Sequence, residues 1–173
     1  MKTLYLLRHA KADLAEAGQD DINRPLNRKG ERAASLVGIY LAQQGYPVRG
    51  VFASPATRAE TTARRVCEEL ADAPPLVVAP QLYNASYDGL MTWLAGLGDA
   101  PDHILLVGHN PAIEDLAGVM ISPDSQETPM AQRLAEKLPP ASLVVLKLPI
   151  GDWSELATGI ADLVNFVRPK DLV

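Results

Sequence analysis

Three short segments of the chain carry side chains suited to handling a phosphoryl group. Arg8-His9 closes one apolar run, Ser54-Pro55-Ala56-Thr57-Arg58 closes a second, and Gly108-His109-Asn110-Pro111 closes a third. A neutral imidazole is a nucleophile near pH 7 and can carry a covalent intermediate. Guanidiniums give bidentate donation to phosphate oxygens, which the point charge of a lysine does not. Phosphoryl transfer asks mainly for positioning and for charge stabilisation of the three equatorial oxygens. Arg8, Arg58 and a second histidine, His109, could supply both around His9 with no metal or other cofactor. That requires one pocket to collect all four, so the elements carrying them decide the matter.

Apolar runs at Thr3–Leu7, Val51–Ala53, Ile104–Val107 and Leu143–Leu148, with a weaker one at Leu76–Ala79, have the length and β-branched content of buried strands. Ile160–Val167 reads as one more strand, which the pattern alone does not place. Between the strands lie helical patterns. Arg28–Gln44 carries the stripe Ala33, Leu36, Val37, Tyr40 and Leu41, with a stop at Gly45. Ala56–Leu70 carries Ala59, Ala63, Val66, Cys67 and Leu70, and Gly89–Gly98 and Pro111–Met120 read as shorter helices.

This alternation implies a three-layer α/β/α sandwich around a mostly parallel sheet, with one domain over residues 1–173. Ser54 and Asn110 each precede a proline and read as N-caps with Pro at N1. Open parallel sheets bind ligands outside the carboxyl ends of their strands, where two helix N-termini would add partial positive charge. Arg8, His9, Arg58 and His109 are therefore expected in one cation-lined pocket. The Pro-bounded stretch Ser122–Pro140 reads as an insertion or pocket rim, with Met130, Leu134 and Leu138 as packing residues rather than a substrate lid.

Composition bounds the partners. Sixteen basic residues against 21 acidic leave a net charge of −5, which does not suggest a general nucleic-acid binder. The lone cysteine, Cys67, cannot form an internal disulfide, fits a reducing compartment, and reads as core on its helix. The first apolar run stops at Arg8, short of a signal-peptide core, and no run approaches a membrane span. A soluble cytoplasmic domain is expected. No Walker loop or clustered metal-ligand spacing occurs, and the arginine a cysteine-based phosphatase would want six residues after Cys67 is Ala73.

With these residues in view, Leu7-Arg8-His9-Ala10 resembles the Arg-His-Gly signature of the histidine phosphatase (phosphoglycerate mutase-like) superfamily. Ala53-Ser54-Pro55 through Arg58-Ala59-Glu60-Thr61-Thr62-Ala63 resembles its Ser-Pro…Arg…Thr-Ala segment, and Val107-Gly108-His109-Asn110-Pro111 its second-histidine segment. The resemblance implies a phosphoglycerate mutase-like fold with His9 as the phosphorylated nucleophile. It implies Arg8, Arg58 and His109 as the rest of the phosphate pocket. Arg8–Ala12, Asp21-Ile22-Asn23-Arg24-Pro25-Leu26 followed by Gly30, and Phe166…Arg168-Pro169-Lys170 resemble the short SixA-type phosphohistidine phosphatases in particular.

Two departures from the wider superfamily bear on chemistry. The glutamate expected just after Arg-His-Gly is Lys11, and Pro80-Gln81-Leu82-Tyr83-Asn84 has no carboxylate. A general acid for an alkoxide leaving group is thus missing, which favours P–N over P–O cleavage. Asp21 is the nearest family-matching carboxylate and a candidate proton donor. Arg24 and Lys11 are each either a pocket-rim cation or an ordinary solvated charge, and Asn110 is a further candidate substrate contact. The resemblance implies hydrolysis of phosphohistidine on a partner protein. The alternatives are a small-molecule phosphomonoesterase or mutase of the same superfamily, and a phosphate-binding module that does not turn over.

Overall fold

The structure is a computed structural model describing residues 1–173. In β1 (Lys2–Arg8) successive side chains point to opposite faces, and Leu4, Tyr5, Leu6 and Leu7 are all fully buried. A strand buried on both faces must lie in the middle of a sheet covered on both sides. It does. The other strands are β2 (Gly50–Ala53), β3 (Leu76–Val78), β4 (His103–Gly108), β5 (Leu143–Leu148) and β6 (Asp162–Val167), in the order β3-β2-β4-β1-β5-β6.

Strands β1 to β4 pair in parallel, β5 is antiparallel to β1, and β6 is antiparallel to β5. Only β5 therefore runs against the rest, and the expected three-layer, mostly parallel architecture is what forms. The strand that pattern could not place, β6, is the edge beside β5. Its register against β5 shifts between Val145 and Leu146 of that strand, and only two of its six residues are buried, so no clean alternation marks it.

Helices α1 (Arg28–Gln43) and α2 (Thr57–Glu68) cover the face of Tyr5 and Leu7, packing Val37, Leu41, Ala63 and Val66 there. Helices α3 (Tyr87–Ala95), α4 (Ala112–Met120) and α6 (Pro129–Glu136), with the single-turn α5 (Pro123–Gln126), belong to the opposite face. Leu90, Leu94, Ile113, Leu116 and Leu134 pack there with Leu4 and Leu6. Leu134 and Leu138 are core and Met130 packs at its margin, so the 122–140 segment is anchored by packing as expected. Cys67 is half-buried at the edge of the other cluster rather than within it. No helix is long and apolar enough to cross a membrane.

The buried stripe of α1 is Gly30, Ala34, Val37, Gly38 and Leu41, rotated by about a residue from the expected one. Close backbone packing is the reason. A Cβ at Gly30 would sit 2.1 Å from the Lys11 carbonyl oxygen, and one at Gly38 would sit 2.6 Å from the Val66 carbonyl. The Asn27 side chain caps the helix by accepting from the Gly30 N–H, and Asn27 N–H donates to Lys11 O. The start of α1 thus clamps the backbone two residues after His9.

The expected N-caps at Ser54 and Asn110 are not formed. Helix α2 starts after Ala56 and α4 after Pro111, neither with a side-chain cap, so neither Ser54 nor Asn110 stands at the N-cap position. At one edge of the sheet Ala53, Val107, Leu7, Leu143 and Val167 lie in register across five strands. Ser54, Gly108, Arg8 and Arg168 come next along their strands, so the three segments singled out in the sequence emerge side by side.

Gly30→Ala should therefore cost about 1–3 kcal/mol or more, as overpacking against fixed backbone does. It should also lower activity by displacing the His9 turn. Urea unfolding and a phosphatase assay on the same preparation check this, and an unchanged midpoint would show that the contact is not tight.

Candidate active site

Arg8 and His9 stand at the end of the central strand, where the chain leaves β1. His9 N–H donates to the Gly108 carbonyl, and Ala141 N–H reaches the carbonyls of both Arg8 and His9. Beyond His9, Ala10 N–H donates to Thr62 Oγ1 (3.0 Å), and that hydroxyl donates to the Arg58 carbonyl (2.6 Å). One threonine in α2 thus couples the turn carrying His9 to the residue carrying Arg58. The imidazole is oriented by Nδ1–H, which donates to the carbonyl of Ala10 at 2.7 Å. This tautomer leaves Nε2 with a free lone pair.

The four core candidates do come together. The rings of His9 and His109 lie 5.1 Å apart, and a pocket of about 450 Å3 is lined by Arg8, His9, Arg58 and His109 with Arg24 and Tyr83. The start of α4, at Pro111 and Ala112, also lines it, and α2 contributes through Arg58. The Ser54 hydroxyl lies 2.7 Å from His109 Nε2 and accepts the Ala56 N–H at 3.2 Å. With that acceptor position occupied, the hydroxyl proton is free to go to His109.

Both guanidiniums are held from one end. Arg8 Nη1 donates to the Leu138 carbonyl (2.9 Å). Arg58 Nη1 and Nη2 donate to the backbone carbonyl (2.7 Å) and carboxylate (3.0 Å) of Asp21. In each arginine the Nε–H is buried without a partner. Two orphaned, charge-assisted donors beside an imidazole are what a phosphoryl oxygen would satisfy.

The electrostatics follow from burial. His9 is pushed down to about 3, chiefly by desolvation and further by His109, Arg58 and Arg8, against the Ala10 hydrogen bond. His109 falls to about 4, again mainly by desolvation, with Arg58 and Arg8 adding and Asp21 opposing. Burial also pulls Arg8 below its usual value, with Glu114 opposing. Both imidazoles are neutral at physiological pH.

The remaining candidates divide. Arg24 lines the pocket while its Nε donates to the Asp13 carbonyl and its Nη1 to Asp21. Asp21 receives Tyr83 Oη–H at 2.6 Å as well as the two arginines. The tyrosine first, then Arg24 and Arg58, hold its carboxyl well below the usual carboxylate range. It is an anchoring anion and not a poised proton donor. Asn110 lines the pocket; its Nδ2 donates to Glu114 (2.9 Å) and to Leu138 O (3.3 Å), while its Oδ1 is buried without a partner. Lys11 does not line this pocket; its side chain turns outward to a second groove.

Sequence reasoning passed over Tyr83, whose ring packs edge-on to His109 with centroids 5.6 Å apart while its hydroxyl fixes Asp21. It named Thr62 within the Thr-Ala segment but gave it no role, although it lies four residues after Arg58 and so on the same helix face. That spacing was a usable signal. No such signal marks Tyr83.

A mostly parallel α/β/α sheet thus ends in a pocket lined by two neutral imidazoles and two half-anchored guanidiniums, groups suited to an anionic phosphoryl ligand. Comparison with known proteins agrees. The model of the histidine phosphatase superfamily (branch 1) matches residues 4–95. An uncharacterised protein of Mycobacterium tuberculosis is 34% identical over 164 residues, which is 95% of this chain and all of that one. Among solved structures, the putative phosphohistidine phosphatase SixA from Agrobacterium tumefaciens superposes with a TM-score of 0.81 at 27% identity, covering 97% of this chain and 98% of that one. The putative phosphohistidine phosphatase SixA from Nakamurella multipartitia gives 0.78 at 28%, covering 97% and 96%. The chain belongs to the histidine phosphatase superfamily, and its fold is of the SixA type.

A buried neutral histidine has a pH signature. The unfolded chain takes up a proton near 6.5 and the folded one only near 3, so stability is lost as pH falls through that interval. His9→Asn removes one such group. Its urea midpoint should fall less steeply between pH 7 and 4 than that of the wild type, and parallel slopes would show that His9 is not held neutral.

Proposed function

We propose that this protein is a phosphatase acting on phosphohistidine carried by a partner protein, through a phospho-His9 intermediate and without a metal. The observation that carries the reading is the Nδ1–H of His9 donating to the Ala10 carbonyl, which leaves a neutral Nε2 beside two partnerless Nε–H donors.

In the first step Nε2 of His9 attacks phosphorus in line. The P–N bond of the substrate breaks and its electron pair returns to the substrate imidazole. That ring is already protonated at its far nitrogen, so it departs neutral and needs no acid from the enzyme. The charge on the transferring group is met by Arg8, Arg58 and His109. Phospho-His9 retains its Nδ1 proton on the Ala10 carbonyl and is therefore an imidazolium, a good leaving group in its turn. Water then attacks phosphorus, the new P–N bond breaks, and His9 regains its lone pair as phosphate leaves.

The lining supports P–N over P–O substrates. Of the two carboxylates joined to the site, Asp21 is held ionised by three donors and has no proton to give an alkoxide, and Glu114 receives the amide of Asn110. The rim segment favours a protein-borne substrate, because Leu134 and Leu138 tie it into the core rather than over the pocket.

Incubation with labelled phosphohistidine peptide and with a sugar phosphate, both in EDTA, tests the reading. The peptide should be hydrolysed with kcat/KM at least about tenfold higher than the sugar phosphate. His9→Ala should lose about a thousandfold or more. Acid-labile, base-stable label should be trapped on His9 in the wild type alone. Preference for the sugar phosphate would favour a small phosphorylated substrate, and full activity of His9→Ala would refute the mechanism.

A further inference from the structure

A second groove, of about 700 Å3, opens beside the pocket and plays no part in the chemistry above. Lys11, Lys29, Arg32, Arg168 and Lys170 line it, five of the chain's 16 basic residues in a protein of net charge −5. Arg168 is paired with Asp171. The other four are exposed and none bonds to a carboxylate. Between the cations the walls are apolar, formed by Ala33, Leu36, Pro139 and Pro140. Four unneutralised cations on one face give that face a positive potential that attracts anionic groups.

Each wall starts from the site. Lys11 is two residues beyond His9, and its backbone is pinned by the start of α1, which carries Lys29 and Arg32. Pro139 and Pro140 follow Leu138, whose carbonyl holds Arg8. Arg168 follows Val167, which is aligned through Leu143 with Leu7, two strand spacings or about 10 Å away. About three residues of extended chain span that distance.

We propose that this groove docks an acidic segment of the phosphorylated partner, with Asp and Glu side chains on Lys11, Lys29, Arg32 and Lys170. An apolar side chain would lie against Leu36 and the two prolines, while the phosphohistidine, a few residues away, enters the pocket. The inference rests on the protein-borne substrate proposed above and names the surface that would select it. A polynucleotide fits less well, because the lining has no aromatic ring for base stacking and the molecule as a whole is acidic.

The test pairs binding with turnover. A fluorescein-labelled peptide of Asp and Glu interspersed with Leu should bind the wild type by anisotropy, and binding should weaken with added salt. Binding should fall about tenfold or more in Lys29→Glu/Arg32→Glu. Both positions are exposed, and acidic residues suit a helix N-terminus, so the variant should fold. On an acidic protein phosphorylated on histidine, the variant should raise KM about tenfold with kcat unchanged, while turnover of free phosphohistidine stays at the wild-type rate. Equal peptide affinity of wild type and variant, or preference for a single-stranded oligonucleotide of the same charge, would overturn the docking surface. A wild type that binds the peptide but hydrolyses no phosphohistidine would instead overturn the proposed function, and the groove would stand on binding alone.

Discussion

Like charges crowded at one point set the terms for this structure. Arg8 and Arg58 are brought beside two imidazoles at the end of a buried strand, and burial makes their mutual repulsion harder to screen. Two devices answer it. The imidazoles stay neutral, and Asp21, reached by Tyr83, Arg24 and Arg58, supplies a counter-charge that is itself half exposed to solvent. The guanidiniums are fixed at their Nη ends by a carbonyl or carboxylate, so that their Nε–H groups stay buried and unmet. The surrounding elements, from the glycine contact of α1 to Thr62 in α2, serve to hold this arrangement rigid.

Much of that frame could be read from the sequence. Four apolar runs became the interior strands because residues buried on both faces leave an unbroken hydrophobic signature. Arg8, His9, Arg58 and His109 follow from where those runs stop. The edge strand β6 left no such mark, since a half-exposed strand with a register shift lacks both continuity and alternation. The α1 stripe slipped by a residue because glycines, which carry no hydrophobicity, mark the closest packing.

The polar details were less accessible, and for a common reason. Ser54 and Asn110 have the local chemistry of helix caps, but their helices begin one or two residues later and the side chains face the site, bonding His109 and, for Asn110, Glu114 and Leu138. Tyr83 meets Asp21 across 62 residues, and no local pattern announces that contact. Lys11 sits two places after His9, yet the strand has ended there and no periodicity says which way the side chain turns.

The reversed direction of β5 has an architectural corollary. Because this strand alone begins at the functional edge, the chain must climb back to that edge before entering it, and it does so through α5, α6 and the turn at residues 139–141. Extra residues inserted along that climb would accumulate above the pocket without altering any strand register. Lengthening there would convert an uncovered site into a roofed one while the sheet beneath stayed intact. The short climb here keeps the roof off.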